Sequence, residues 1–403
     1  LRSIKSLEDI RHLPYYTSKQ IYFSTRQGLD HNVKPKIFSL ILAGGKGTRF
    51  WPLSRAQRPK QLLSILSPKT LVRETAERMF PLSGPERTLV VTVAEQLKDL
   101  GRELRDVPRR NFIAEPEGKN TAPCIGLSAL EVTARDPDGV MLVVPADHWV
   151  ADPRAFRRTL SEAVQFAATG DRLVTIGIRP DYPETGYGYI LKGRSVSAST
   201  IAGASRVKRF QEKPDAATAR RLIRRGALWN SGMFAWRAGA LLDALDRYQP
   251  AITTLLEKIR AAAAGKSLTQ PTPALARVIA REYNKMPSIS IDYAVLEKAA
   301  ANGQVVTLEG NFGWSDIGSW SAVHRMMHRD DNGNAAHGKW LGLGAKNCLI
   351  HAPDRLVVLL GIEDAVIVDT PDALLVGDLK RAQEVRELVE ELKKKGLGSY
   401  TVK

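Results

Sequence analysis

The sequence predicts an α/β protein: a mostly parallel, Rossmann-like sheet with helices on both faces, followed by a small second domain. Three observations predict it. Short apolar runs alternate with amphipathic helical stretches over residues 37–168, the pattern of strands joined by helical crossovers. The first of these runs ends in a glycine-rich loop, Gly44-Gly45-Lys46-Gly47-Thr48-Arg49. After Asp330-Asp331-Asn332-Gly333-Asn334 the texture changes to short strands at close spacing. The expected divisions are an N-terminal extension (1–36), a catalytic-sized domain (37–330) and a small C-terminal domain with a terminal helix (331–403).

Residues 1–36 mix charges with Tyr15-Tyr16 and Tyr22-Phe23 and show no clear period. No function is assigned to them, and partial disorder is expected at such a terminus. A charged stretch followed by an apolar core, the mark of a signal peptide, is not seen there. Residues 37–43 read as a buried strand, continuous and β-branched at Ile37 and Ile41. Residues 89–93, 111–115 and 141–144 read as strands, and 95–104, 121–134 and 153–168 as helices. Asn120 is placed to cap the second of these helices, and Asp152 before Pro153 the third.

Beyond this, 173–178 and 206–212 read as strands, and Thr185-Gly186-Tyr187-Gly188-Tyr189 turns into another. Residues 216–225 form a helix closed by Gly226, and a long helical stretch surrounds the alanines at 261–264. Residues 291–300 read as a helix, 305–308 as a strand, and Trp314-Ser315-Asp316-Ile317-Gly318-Ser319-Trp320 opens a helix. In the last part, 348–351, 356–360, 365–368 and 373–376 read as strands. Turns at Ala352-Pro353-Asp354 and Thr370-Pro371-Asp372 separate them. A final helix over 382–395 carries Val385, Leu388, Val389 and Leu392 as one apolar stripe.

The net charge of +16 permits anionic partners. The basic residues are mostly dispersed, and the dense runs (Arg220-Arg221 with Arg224-Arg225, and 393–395) fall on helices as solvated faces. Aromatic side chains do not interleave them as base stacking requires, so no nucleic-acid partner is expected. No apolar run approaches a membrane span, so no membrane insertion is expected. Cys124 and Cys348 lie far apart without metal-ligand spacing. They point to a reducing compartment, and a cytoplasmic location is expected.

The glycine loop is where chemistry begins. It is not a dinucleotide fingerprint, because Phe50 stands at the third glycine, and not a P-loop, because Gly47 follows Lys46. Its backbone N–H groups can form an anion cradle. Thr48 adds a hydroxyl, Arg49 a planar fork suited to phosphate, and Lys60 a second cation. Together these indicate a polyphosphate.

Asp147 follows an apolar strand, where an unpaired carboxylate is costly. Asp316 sits between Trp314 and Gly318. Meeting at one site, the two would be hard oxygen ligands suited to Mg²⁺; taken singly, either reads equally well as a turn or capping residue. Glu212-Lys213-Pro214 reads as a site pair or a surface pair. Gly186, Tyr187 and Asn230-Ser231-Gly232 read as site or turn residues. His148 reads as polar support rather than a general base. No G-x-S-x-G elbow is present.

In order, the segments Leu42-Ala43-Gly44-Gly45 through Arg58-Pro59-Lys60-Gln61, Glu115-Pro116 with Asn120-Thr121-Ala122-Pro123, and Pro145-Ala146-Asp147-His148 carry a resemblance. Thr185-Gly186-Tyr187-Gly188-Tyr189, Glu212-Lys213-Pro214 and Trp229-Asn230-Ser231-Gly232-Met233-Phe234 extend it. Ser290-Ile291-Asp292-Tyr293-Ala294 and Gly313-Trp314-Ser315-Asp316-Ile317-Gly318-Ser319-Trp320 complete it. From residue 37 onward the chain resembles the mannose-1-phosphate guanylyltransferases of the sugar-nucleotide pyrophosphorylase family. Lys46 for Ser, Phe50 for Leu and Ala146 for Ser are departures, none at a charged functional position.

The resemblance implies a GT-A-like nucleotidyltransferase domain and a C-terminal left-handed β-helix-like domain. It implies GTP and α-D-mannose 1-phosphate as substrates, GDP-mannose and pyrophosphate as products, Mg²⁺ as cofactor, and a homodimer. The sugar phosphate would attack the α-phosphorus in line. The backbone of Ala43, Gly44 and Gly45 would meet the nucleoside, and Gly47, Thr48 and Arg49 the triphosphate, with Asn120 in support. Arg49 and Lys60 would be catalytic. Asp147 and Asp316 would hold the metal. Glu212 would bind sugar hydroxyls and Lys213 the sugar phosphate, with Gly186, Tyr187 and Asn230 lining the pocket. Asp292 either joins the site or caps its helix. Alternatives are a same-fold pyrophosphorylase with another sugar or base, and a non-catalytic GDP-mannose sensor. A fused isomerase would need an added metal-binding cupin domain, for which no His-rich cluster is seen.

Overall fold

A computed structural model describes residues 36–45, 47–196 and 203–402. Nearly all of the N-terminal extension, with the disorder expected there, lies outside the described residues, as does Lys46. The chain builds β1 (Ile37–Leu42), α1 (Leu71–Ser83), β2 (Thr88–Val93), α2 (Leu97–Glu103), β3 (Phe112–Glu115), α3 (Thr121–Arg135), β4 (Val140–Pro145), a short β5 (Trp149–Val150) and α4 (Pro153–Ala168). It continues through β6 (Leu173–Ile178), β7 (Tyr189–Ser195), β8 (Ala204–Gln211), α5 (Ala216–Arg224), β9 (Leu228–Arg237), α6 (Ala238–Tyr248), α7 (Pro250–Ala263) and α8 (Pro273–Tyr283). A π-helical turn (Asp292–Leu296) enters α9 (Glu297–Ala301), followed by β10 (Val305–Gly310), a short β11 (Trp314–Ser315) and α10 (Trp320–Met326). Last come β12 (Ala335–Leu343), β13 (Leu349–Leu360), β14 (Ala365–Asp369), β15 (Leu374–Asp378) and α11 (Val385–Lys394).

The large sheet has the order β3-β2-β1-β4-β9-β6-β10-β8-β7. Strands β3, β2, β1 and β4 are mutually parallel, β6 and β10 pair in parallel, and β9 runs antiparallel to both of its neighbours β4 and β6, as β8 does to β10 and β7. Strand β1 is apolar because both its faces are covered, as in a sheet wrapped by crossover helices. One face packs on α3, α6, α7 and α8, and the other on α1, α4 and α5. Because β1 lies between β2 and β4, the glycine loop after β1 and Asp147 after β4 emerge at one edge, beyond the strand C-termini where such sheets bind ligands.

The caps follow the sequence. Asp152 Oδ1 accepts from the N–H groups of Arg154 and Ala155 at 2.9 and 3.0 Å. Asn120 Oδ1 accepts from Thr121 N at 2.9 Å.

Several expectations differ. The long helical stretch is two helices, α6 and α7, broken at Pro250, which has no N–H to donate to a continuing helix. Asn230-Ser231-Gly232 is no turn; it lies inside β9, where the pairing with β6 shifts register and Gly232 has φ +71°. Ala352-Pro353-Asp354 does not end a strand: β13 continues through it as a bulge, while the facing register on β12 jumps between Gly338 and Trp340. Strand β12 itself, interrupted by glycine and charge, escapes the apolar pattern.

The C-terminal sheet has the order β12-β13-β14-β15, parallel except for β15. Val385 and Val389 of α11 are buried, whereas Leu388 is 48 % exposed, so the apolar stripe is narrower than expected. Together with Leu349, Val366 and Leu375, the two valines share one core with Phe50, Trp51 and Trp320.

Candidate active site

The loop after β1 is shaped by its glycines. Gly47 sits at φ +61°, and a Cβ there would come within 2.3 Å of Lys60 Cβ. Only glycine lets the loop lie against Lys60. The chain then closes a turn, Phe50 N donating to Gly47 O at 3.1 Å. The strand end is fixed by Ala43 O, which accepts from Gln61 Nε2 at 3.0 Å and Thr92 Oγ1 at 2.9 Å. Gly44, Gly45 and Arg49 are exposed, and Thr48 is half-buried.

Lys60 is buried, 6 % exposed. Its Nζ donates to Asp147 Oδ2 at 2.8 Å and to the backbone O of Asp316 at 2.5 Å. The small antiparallel pairing of β5 with β11 makes this possible: Trp314 faces Val150 and Ser315 faces Trp149. That ribbon carries Asp316 to the end of β4, where Lys60 links the Asp147 carboxylate to the Asp316 backbone across 169 positions of chain (316 minus 147). Asp316 does not cap the helix after it; Ser319 holds the N-cap position of α10. Burial alone would raise the Asp147 carboxyl, but the charge and hydrogen bond of the Lys60 ammonium oppose it, and the group is held below the usual carboxylate range.

Tyr187 OH donates a hydrogen bond to Asp316 Oδ1. Burial first, and Asp316 second, push its phenol far above the usual value, so it stays a donor. Its ring stands edge-on to Trp229 and Trp314, with centroids at 5.2 and 5.5 Å. Trp314 Nε1 donates to His148 Nδ1 at 3.1 Å. Burial lowers the His148 pKa to about 4. His148 is thus a neutral imidazole whose Nδ1 is occupied, the polar support its sequence position suggested.

Beside the aspartates lies a cavity of about 220 Å³ lined by Gly186, Tyr187, Glu212, Asn230, Asp292 and Asp316, among others. A Cβ at Gly188 would stand 2.4 Å from Glu212 Oε2, so the glycine leaves the Glu212 carboxylate its place. Asn230 Oδ1 accepts from Thr175 Oγ1 and its Nδ2 donates to Asp292 Oδ1, both at 2.9 Å. Its amide is therefore oriented. Lys213 Nζ pairs with Glu212 Oε1 at 3.3 Å and is 59 % exposed. Burial raises the Glu212 carboxyl against the pull of Lys213. Asp292 is pushed up to about 7, by burial first and the Glu212 charge second. Sequence reasoning left Asp292 between site and cap; Ile291 holds the N-cap position of that turn, and Asp292 joins the cavity lining. His148, Trp314 and Thr121, which also line it, carried no signal as pocket residues.

Among the described residues no three His, Cys, Asp or Glu side chains form a ready metal cage. Asp147 and Asp316 provide two hard-oxygen groups, Asp147 Oδ2 accepting from Lys60 and Asp316 Oδ1 from Tyr187. A divalent ion that completes its shell with phosphate oxygens and water fits such a pair. Among the described residues, no helix is long and apolar enough to cross a membrane.

Residues 38–333 match the family model described as "Nucleotidyl transferase". Residues 338–392 match "MannoseP isomerase/GMP-like beta-helix domain". The chain is 40 % identical over 372 residues to xanthan biosynthesis protein XanB of Xanthomonas campestris pv. campestris (strain B100), covering 91 % of this chain and 75 % of that protein. It is 37 % identical over 376 residues to a mannose-1-phosphate guanylyltransferase of Escherichia coli K12, covering 91 % and 76 %. A crystal structure from Thermus thermophilus, described as a mannose-1-phosphate geranyltransferase, superposes with a TM-score of 0.78 at 35 % identity. The match covers 89 % of this chain and 99 % of that one.

Proposed function

This chain belongs to the nucleotidyl transferase family, among its mannose-1-phosphate guanylyltransferases, and from that premise we propose how its residues perform the reaction. The enzyme transfers GMP from GTP to α-D-mannose 1-phosphate, giving GDP-mannose and pyrophosphate. The observation that carries the assignment of roles is the convergence of Lys60, Asp147 and Asp316 beside the glycine loop, at the edge of the parallel strands.

The loop backbone from Ala43 to Gly45 lies against the nucleoside, with Asn120 shaping the entry to α3 on the nucleotide side. Gly47 and Thr48 receive the triphosphate, and Arg49 meets the departing pyrophosphate. Glu212 and Asn230 hold sugar hydroxyls in the cavity, Gly186 and Tyr187 form its wall, and Lys213 draws in the sugar phosphate. An oxygen of that phosphate forms a bond to the α-phosphorus as the bond to the pyrophosphate oxygen breaks. Lys60 stabilises charge at the reacting phosphates. The protein's work is positioning and charge neutralisation. The buried Cys124, whose thiol is pushed up by burial, offers no nucleophile, in keeping with direct displacement.

Asp147 and Asp316 would hold Mg²⁺, which when bound supplies charge neutralisation to the triphosphate. Tyr187 orients Asp316 for that role. A cytoplasmic homodimer completes the proposal. The test is pyrophosphate release from mannose 1-phosphate with GTP, UTP or dTTP, with and without Mg²⁺. Release that is fastest with GTP and needs the metal supports the reading. Equal or faster release with dTTP overturns the guanine assignment, and undiminished release without divalent metal overturns the metal role.

A further inference from the structure

The segment between the phosphate loop and Lys60 is held by the far end of the chain. Trp51 Nε1 donates to Tyr400 O at 2.9 Å. Ala56 N donates to Thr401 O at 3.0 Å, and Gln57 N to Val402 O at 3.1 Å. Arg55, 6 % exposed, donates from Nη2 to Asp372 Oδ1 at 2.8 Å. Burial lowers the Arg55 pKa, with Asp372 opposing, so Asp372 is the charge that makes a buried guanidinium tolerable there. Phe50 stands edge-on to Trp320, centroids at 5.1 Å, and Trp320 Nε1 donates to Trp51 O at 3.3 Å.

These contacts leave residues 50–57 little freedom of their own. On one side the segment continues the Thr48–Phe50 turn; on the other it leads to Lys60, whose Nζ lies 5.6 Å from the Phe50 ring centroid. A cavity of about 840 Å³ adjoins the same place. Thr48, Gln96 and Gly118 line it from the catalytic portion, and Val389, Lys393 and Thr401 from the C-terminal portion.

We propose that the C-terminal sheet and tail are a working part of the nucleotide site, with Asp372 and the Tyr400–Val402 backbone as positioning groups that set the phosphate loop and Lys60 for GTP. The β-helix-like portion is therefore not a separable appendage. Its contacts act through Trp51 and Arg55 on residues that touch the triphosphate. The inference rests on the nucleotide reading given above, and GTP affinity can be measured apart from turnover.

The experiment compares full-length protein, Asp372→Ala, Asp372→Glu and a chain ending at Leu397. Calorimetric affinities for GTP and for mannose 1-phosphate are taken beside kcat, both KM values and the melting midpoint. The expected result is GTP affinity weakened about tenfold or more, equivalent to about 1.4 kcal/mol, in Asp372→Ala and in the shortened chain. Mannose 1-phosphate affinity stays within about twofold, because its candidate residues make none of these contacts. Asp372→Glu restores part of the loss. GTP affinity unchanged in both variants overturns the proposal. So does a parallel loss of both affinities that tracks the melting midpoint, which would mark a merely structural role. Full-length protein that binds GTP without transferring GMP would refute the assigned reaction and leave this comparison intact.

Discussion

Lys60 Nζ bridges Asp147 Oδ2, at 2.8 Å, and the backbone oxygen of Asp316, at 2.5 Å, from a buried position. One cation thus joins the ends of β4 and of the β5–β11 ribbon. Replacing it by Met keeps much of the volume and removes the charge. Lys60→Met is expected to lose activity on the order of 10²-fold or more, read as kcat with saturating GTP and mannose 1-phosphate. Near-normal kcat would refute the role of Lys60.

The same pair fixes a pH dependence. The Asp147 carboxyl is held below its ordinary 3.8 in the folded protein. Its stabilising contribution is therefore fully present above the unfolded value and is lost as pH falls through the folded one. Lys60→Met should flatten this part of the acid limb, so that melting midpoints of wild type and variant converge below about pH 4. A constant gap from about pH 6 down to about pH 3 would contradict the pairing.

Asp292 runs the opposite way. Its folded pKa of about 7 lies above the ordinary 3.8, so ionising it costs stability progressively from about pH 4 to pH 7. Asp292→Asn preserves an acceptor for Asn230 Nδ2 and never ionises. Its melting midpoint should exceed that of wild type by on the order of 2 °C or more at about pH 8 and match it near pH 4. Mannose 1-phosphate affinity should fall, as the cavity loses an acidic group. An unchanged midpoint at that alkaline pH would contradict the raised Asp292 pKa that burial, and after it Glu212, produce.

Tyr187→Phe retains the ring against Trp229 and Trp314 and deletes only the donor to Asp316. Loss of one charge-assisted hydrogen bond should reduce kcat by roughly tenfold and raise the Mg²⁺ concentration needed for half-activity. An unshifted metal requirement would show that Tyr187 does not orient Asp316.

Gly47→Ala places a Cβ 2.3 Å from Lys60 Cβ at a backbone conformation of φ +61°. A destabilisation on the order of 1–3 kcal/mol is expected from strain at that position, with GTP affinity reduced at the same time. Chemical unfolding and calorimetry read the two effects separately.

Much of this was legible in the chain itself. Strand β6 and helix α4 fall where periodicity and the Asp152-Pro153 start signal place them, because burial of a regular apolar pattern leaves a local trace. The tight turn at Gly47 was legible for the same reason: neighbouring residues carry it. Asp316 was named through the family resemblance and not through any local pattern, since its partner Tyr187 is 129 positions away and the β5–β11 ribbon that carries it toward β4 leaves no periodic trace. Asp292 stood open between site and cap until the bond from Asn230 set its carboxylate in the cavity wall. The strand through Pro353 stayed hidden because a bulge and a turn share the same residues locally; the register of β12 distinguishes them. The hold of the C-terminal tail on Trp51 spans 349 positions and leaves no periodic signature.

The most direct measurement follows the oxygen atoms. Mannose 1-phosphate carrying ¹⁸O in its non-bridging phosphate oxygens is incubated with unlabelled GTP, Mg²⁺ and the full-length enzyme, and both products are weighed by mass spectrometry. Direct attack of the sugar phosphate on the α-phosphorus predicts that GDP-mannose keeps all of the label and pyrophosphate carries none. Label in the pyrophosphate, or no labelled GDP-mannose at all, would contradict guanylyl transfer at this site.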